Sequence, residues 1–332
     1  MLPQIQTPSP KNKLWNVIPI TLFVLFVLAI ALSAPKNDLT RYFLPAGHYL
    51  LNGQSPYIIN RIDPFLYWPL GLWIFPPLAI IPGIYHLVLL ANAVLMLLIV
   101  HRMKINYFWL LYPPALYCVT AGQLDLLVLW LGLEAYLRRK SPLSGAALAL
   151  AIVIKPQAGL FWALPWLWGV ETWKKRLQYM AIGAVVFLAP MLLWSIFDFQ
   201  RVISLWQSWW LDGIRVNTGA YIGDSPSFWA AGFPLLAVLS LTGWLLAGRL
   251  EKQSRPLLAL GLPALRYYST VALLGAVPVW GVALGYVTVV LTTLLSKPVF
   301  WVEPLVMVLY WGYSFWREHS SLGNPQPAPK SR

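Results

Sequence analysis

Long apolar runs alternate along this chain with short clusters of basic residues. The clusters are Lys11 and Lys13, Arg102 and Lys104, Arg138 to Lys140, Lys174 to Arg176, and Arg249, Lys252 and Arg255. An apolar run of about 20 residues wound as a helix matches the hydrocarbon thickness of a bilayer. Inside lipid every backbone polar group must be paired within the protein, and a helix does so within its own segment. Only 11% of the residues are charged, whereas a soluble domain carries about 25%. The expected fold is therefore all-α, a polytopic integral membrane protein with membrane lipids around it. The 19 Trp residues fit that setting, since indoles collect at the bilayer interface.

The net charge of +13 does not argue for a nucleic-acid partner. The cations sit in short groups between apolar runs, the distribution that orients membrane helices, rather than along one stripe. The chain has a single cysteine, Cys118, so no internal disulfide can form and a buried apolar role is expected. The first apolar run, LWNVIPITLFVLFVLAIALSA, follows Lys11 and Lys13. Ala31-Leu32-Ser33 resembles a leader cleavage site, but a signal h-region spans only roughly 7–15 residues, so an uncleaved first span is expected.

Basic clusters on the cytoplasmic side require the apolar segments to cross in pairs. The expected spans are 15–33, 84–101, 106–121, 125–137, 143–155, 158–172, 177–197 and 227–247, with two or three more between 256 and 316. The total is a bundle of roughly 10–12 transmembrane helices. Counting 66–82 as a crossing would move Arg102 and Lys104 outside. That segment, broken by Pro69, Pro76 and Pro77, is expected to be an interfacial or re-entrant helix. Residues 1–316 then form one domain, and the polar, Pro-rich stretch 317–332 a disordered tail. No internal repeat of the kind common in secondary transporters is visible.

This topology gathers polar residues on the outer side: Asp38, Arg41, His48, Arg61, Asp63, Gln123, Asp125, Lys155 and Gln157, with the loop 198–224. Asp38 follows the first span. It can act as a general base on an acceptor hydroxyl, or Asn37 or Asp38 can simply cap the helix that begins LTRYF. Arg41, three positions on, can pair with Asp38 or hold a phosphate bidentately, and Tyr42 lies beside it. In GHYLLNGQSPY, Gly53 suits a helix end and Tyr57 can line a sugar site. Asp125 stands at the start of a span, as a cap or as a functional group. In IVIKPQAG, Lys155 can snorkel to the interface or neutralise a phosphate leaving group. Glu303, inside a late apolar run, is a candidate partner for Arg266. The histidines 48, 86, 101 and 319 have no metal-ligand spacing, and no phosphate-binding loop or dinucleotide motif occurs, so neither metal nor cofactor is expected.

The order of these features carries a resemblance: an apolar span, Asp38-x-x-x-Tyr42, LLNGQSPY, the aromatic–proline YWPL, a Pro-bracketed segment ending IIP, then TAGQLDLLVL and AIVIKPQ. It resembles family 87 of the glycosyltransferases, polyprenol-phosphate-mannose-dependent mannosyltransferases of the GT-C fold, over roughly residues 37–82 and 120–160. The resemblance implies a plasma-membrane enzyme with an extracytoplasmic active site. It would move a hexose, mannose in the family, with inversion from a polyprenyl-phosphate donor to a glycolipid or glycan acceptor. It implies that Asp38 is the base, and that Gln123, Asp125, Lys155 and Gln157 surround the donor. Two other classes stay open. A flippase or transporter of lipid-linked sugar would place ionisable groups near the bilayer midplane with repeat symmetry. A non-catalytic membrane subunit would tolerate loss of Asp38.

Overall fold

Prolines and glycines decide where the helices begin and end in the computed structural model, which describes residues 13–33, 37–58, 67–214, 225–262 and 265–322. The first apolar run forms α1 (Lys13–Ser33). A turn of wide, π-type helix (Leu39–Phe43) runs directly into α2 (Leu44–Leu51). Gly53, at φ +77°, follows the end of α2, a backbone state that glycine adopts without cost. Single 3-10 stretches occupy Pro56–Ile58 and Pro69–Ile74, the second leading into α3 (Phe75–Ile80). Then come α4 (Ile84–Met103), a 3-10 stretch (Tyr107–Leu111), α5 (Pro113–Ala121), α6 (Asp125–Leu137), α7 (Leu143–Ile154), α8 (Pro156–Gly169) and α9 (Trp173–Phe197). The chain continues with α10 (Phe199–Ser208), a π-type turn (Trp209–Ile214), α11 (Pro234–Leu246), α12 (Glu251–Gly261), a 3-10 segment (Tyr267–Leu273), α13 (Trp280–Leu295) and α14 (Val302–Leu322). Proline opens α2, α3, α5, α8 and α11, where its missing N–H costs no hydrogen bond.

All the described elements are helical, with no strand among the described residues. Among the described residues, three helices are long and apolar enough to cross a bilayer: Trp15–Ser33, Ile84–Met103 and Trp173–Phe197. A fourth is reached if α5 and α6, bent by 118° at their junction, count as one. Helix length alone thus supports fewer crossings than the expected 10–12. The segments 106–121 and 125–137 do not form two separate full spans. Pro113 and Pro114 delay the start of α5 and Gly122 ends it after nine residues. Helices α7, α11 and α13 have 12, 13 and 16 residues, short of the roughly 20 that a span needs. The stretch 69–80 stays short; its helix α3 packs against α2, with Leu72 and Phe75 buried in one small core with Ala46 and Leu50. Helix α14 continues through Leu322, past the expected boundary at 316, and residues 323–332 lie outside the described residues.

The sequential helices α6, α7, α8 and α9 run back and forth and sort the polar residues between two ends. The α7–α9 contact is backbone against backbone: a Cβ added to Gly145 would lie 2.0 Å from the Tyr179 carbonyl oxygen, and one on Gly183 2.9 Å from that of Gly145. Small residues permit this close approach where apolar side chains gain little from leaving lipid. Asp125 opens α6 and Arg138 follows its end, so about 20 Å of helix separates them.

Between these ends the main core is built on Trp109, Tyr112, Cys118, Phe161 and Trp162, all fully buried. The 3-10 segment Tyr267–Leu273 passes through it, and such a segment leaves carbonyls that no helix satisfies. Buried Arg255 donates from Nη1 to the carbonyls of Ala272 (2.6 Å) and Leu274 (3.1 Å), while its Nη2 meets Glu251 at 2.8 Å. Glu303, also buried, accepts from the Tyr112 hydroxyl. That tyrosine, rather than Arg266, is the partner the fold gives it among the described residues.

Candidate functional site

The break after α1 is closed by Asn37. Its side-chain Oδ1 accepts from the Thr40 N–H (3.1 Å), its own N–H donates to Thr40 Oγ1 (3.1 Å), and its Nδ2 donates to the Thr120 carbonyl (2.8 Å). This reciprocal cap satisfies the first turn and ties it to the end of α5. Asn37 therefore does the capping, and Asp38 is left for another partner. The half-buried Asp38 carboxylate accepts from Gln123 Nε2.

Gln123 is placed by the turn that ends α5. Gly122 sits at φ +66°, and a Cβ there would lie 2.8 Å from the Leu39 Cβ. Both the backbone state and the contact require glycine. From α4, the buried Asn92 donates its Nδ2 to the carbonyls of Gln123 (3.0 Å) and Cys118 (3.3 Å). The Gln123 side chain is buried, and its Oε1 has no partner among the described residues.

Asp125 does not cap α6; no side-chain capping bond is made at that helix start. Its Oδ2 meets Lys155 Nζ at 2.6 Å and its Oδ1 accepts from Ser269 Oγ at 2.6 Å. Lys155 lies between α7 and α8 with extended backbone, φ −153° and ψ 94°, the conformation that a following proline favours. Asp125 is 1% exposed and Lys155 4%, so the ammonium is committed inward rather than snorkelling. Its Nζ lies 4.4 Å from the ring centroid of Tyr268 and 5.9 Å from that of Tyr67. Such aromatic faces hold a cation. Tyr117 stacks on Tyr268 with ring centroids 5.4 Å apart.

Tyr67 joins the two halves. Its carbonyl accepts from the Tyr57 hydroxyl (2.8 Å), and the neighbouring Trp68 donates its Nε1 to the Val153 carbonyl (2.5 Å) at the end of α7. Burial pushes the Tyr67 phenol well above the usual tyrosine range. Lys155 pulls it down, while Asp125, Tyr268 and Asp38 push it up. Three charged groups far apart in sequence thus act on one phenol.

The structure brings together Asp38, Gln123, Asp125 and Lys155. Arg41 is on the exposed side of its helix and forms no ion pair with Asp38. Tyr42 is half-buried against the small core of Leu39, Phe43 and Phe75. Tyr57 is 2% exposed, and its hydroxyl is taken by the Tyr67 carbonyl, so it supports the loop instead of lining an open surface. Gln157 is half-buried in the first turn of α8. Arg61, Asp63 and residues 215–224 lie outside the described residues. Sequence reasoning missed Asn37 as the sole cap, Asn92, Tyr67, Tyr268 and Ser269 as members of this cluster. Their only signals were the YWPL motif and the polar break at Arg266-Tyr267-Tyr268.

Chemically, the cluster offers a carboxylate that is partly reachable and steered by an amide, beside a buried cation already neutralised by Asp125. Among the described residues no three His, Cys, Asp or Glu side chains converge on one point. No protein-family model, no curated protein and no solved structure matches the chain.

Proposed function

We propose that this protein is a multi-pass plasma-membrane glycosyltransferase of GT-C-like architecture whose site faces the extracytoplasmic side. It moves a hexose, mannose in this reading, from a polyprenyl-phosphate donor to a glycolipid or glycan acceptor. The observation that carries the reading is the placement of Asp38: relieved of capping by Asn37, held by Gln123, and set in the same cluster as Asp125 and Lys155.

Asp38 takes the proton of an acceptor hydroxyl as that oxygen attacks the anomeric carbon. The bond from that carbon to the phosphate oxygen breaks on the opposite face, and the lipid phosphate leaves with the electron pair. Attack and departure on opposite faces invert the centre. Gln123 Oε1, without a partner among the described residues, is an acceptor beside the base, suited to a neighbouring hydroxyl of the acceptor sugar. Lys155, paired with Asp125 and set against the Tyr268 ring, lends positive potential from within. Arg41, exposed one turn after Asp38, is the better group to grip the departing phosphate directly, since a guanidinium binds phosphate in two-pronged fashion.

The test is to place the purified chain in lipid nanodiscs with labelled polyprenyl-phosphate mannose and a membrane glycolipid extract. The reading expects labelled, anomerically inverted product and one lipid phosphate released per sugar, at a rate that EDTA leaves unchanged. Folded protein that consumes no polyprenyl-phosphate sugar contradicts it.

A further inference from the structure

At the opposite end of the bundle, two arginines share one glutamate. Glu134, in the last turns of α6 and 12% exposed, accepts from Arg102 Nε at 3.1 Å on one oxygen and from Arg138 Nε at 2.6 Å on the other. Arg102 comes from the end of α4 and Arg138 from the end of α6. A guanidinium has five N–H donors, and among the described residues Nε alone is used in each case. Both side chains are largely open, at 46% and 68% exposure. One carboxylate thus pins two guanidiniums side by side and leaves their terminal nitrogens for a second anion.

Beside them lies a cleft of about 240 Å³, lined by Trp130, Glu134, Arg138, Leu143, Ser144 and Ala147. Its mouth is charged and its walls are mostly apolar. Ser144 is buried, with its hydroxyl accepting from Trp166 Nε1 at 3.0 Å, so the inner wall has little free polarity. Leu143 at 71% and Leu137 at 40% exposure continue the apolar surface outward. Lys104, Arg138 and Lys140 are exposed at the same helix ends, and Lys140 reaches Glu171 at 3.8 Å.

We infer that this cleft is a binding site for an anionic glycerophospholipid, with the phosphate on Arg102 and Arg138 and the start of an acyl chain along Trp130, Leu143 and Ala147. Basic pockets between membrane helices recognise anionic headgroups in this way. The apolar cleft running from the charged mouth favours a lipid over a soluble phosphate. The inference rests on membrane embedding and is independent of sugar transfer.

Native mass spectrometry of the full chain released from detergent, titrated with phosphatidylglycerol or phosphatidylcholine, tests it. Phosphatidylglycerol is expected to bind in preference. The double variant Arg102→Gln/Arg138→Gln should weaken it about 30-fold, at roughly a factor of five per cation. Ala147→Phe, which fills the cleft and keeps both arginines, should weaken it too, and decides alone if the double variant does not fold. Lys174→Gln/Lys175→Gln, at the start of α9, should leave it unchanged. Equal retention of the two lipids, or equal loss in the Lys174/Lys175 variant, overturns the site. Competition by soluble glycerol phosphate as effective as by lipid overturns the lipid assignment.

Discussion

Lys155 and Asp125 stand 2.6 Å apart because α6 and α7, of 13 and 12 residues, leave and return over the same distance. The pair closes the open end of that helical hairpin. Both groups are buried, so each is the other's counterion, and Ser269 brings in the distant 3-10 segment as a third party.

Removing one partner should be worse than removing both. Lys155→Met leaves a buried carboxylate without its cation, which costs about 3–5 kcal/mol. Asp125→Asn/Lys155→Met removes both charges and is expected to be the more stable protein. Thermal unfolding of both variants in one detergent checks this; equal losses contradict the mutual dependence.

The amide of Gln123 holds the Asp38 carboxylate, the base of the proposed mechanism. Gln123→Leu should fold, since the turn is held by Gly122 and by Asn92 on the backbone. Sugar transfer should fall about 10- to 100-fold, the value of a hydrogen bond to a charged group. The rate with saturating donor measures it, and an unaltered rate removes Gln123 from the site.

Gly122→Ala is expected to destabilise the chain by about 1–3 kcal/mol. The residue must hold φ +66° while its new methyl meets Leu39, a strained state for any residue with a Cβ. A matched change at exposed Gly53 brings only the backbone penalty, because nothing lies within 4 Å of its added Cβ. Comparing the two by thermal unfolding separates contact from conformation.

Burial pushes the Tyr57 phenol well above the usual tyrosine range. Its unfolded value is about 10. The sign follows: the phenol stays protonated in the fold, so its contribution is intact below that pH. Stability is lost as pH rises past it, because the unfolded chain then releases the proton more readily. An alkaline ultraviolet titration should show one phenolate fewer appearing upon unfolding in Tyr57→Phe. A Tyr57 that ionises near pH 10 in the folded protein contradicts its enclosure.

Much of the site was readable before the fold, since Asp38, Gln123, Asp125 and Lys155 each interrupt or end an apolar run. What they do there was not. A carboxylate at a helix start satisfies the pattern of a cap and of an ion-pair partner equally, and the hairpin geometry decided for Asp125. Ser269 lies 144 positions from the Asp125 it contacts, in a 3-10 stretch without helical periodicity, so no local pattern points to it. Fewer described helices reach full span length than the apolar runs suggest, for a related reason: apolar length counts residues, while Pro113, Gly122 and Pro156 divide those runs into shorter pieces.

The most direct measurement is sugar transfer by Asp38→Asn in nanodiscs, with donor binding followed in parallel. Asparagine keeps the shape of the side chain and removes its basicity. Turnover is expected to fall about 10²- to 10⁴-fold, the usual worth of a general base, with donor affinity and unfolding temperature unchanged. An Asp38→Asn protein that transfers sugar at the wild-type rate would contradict the account at its centre.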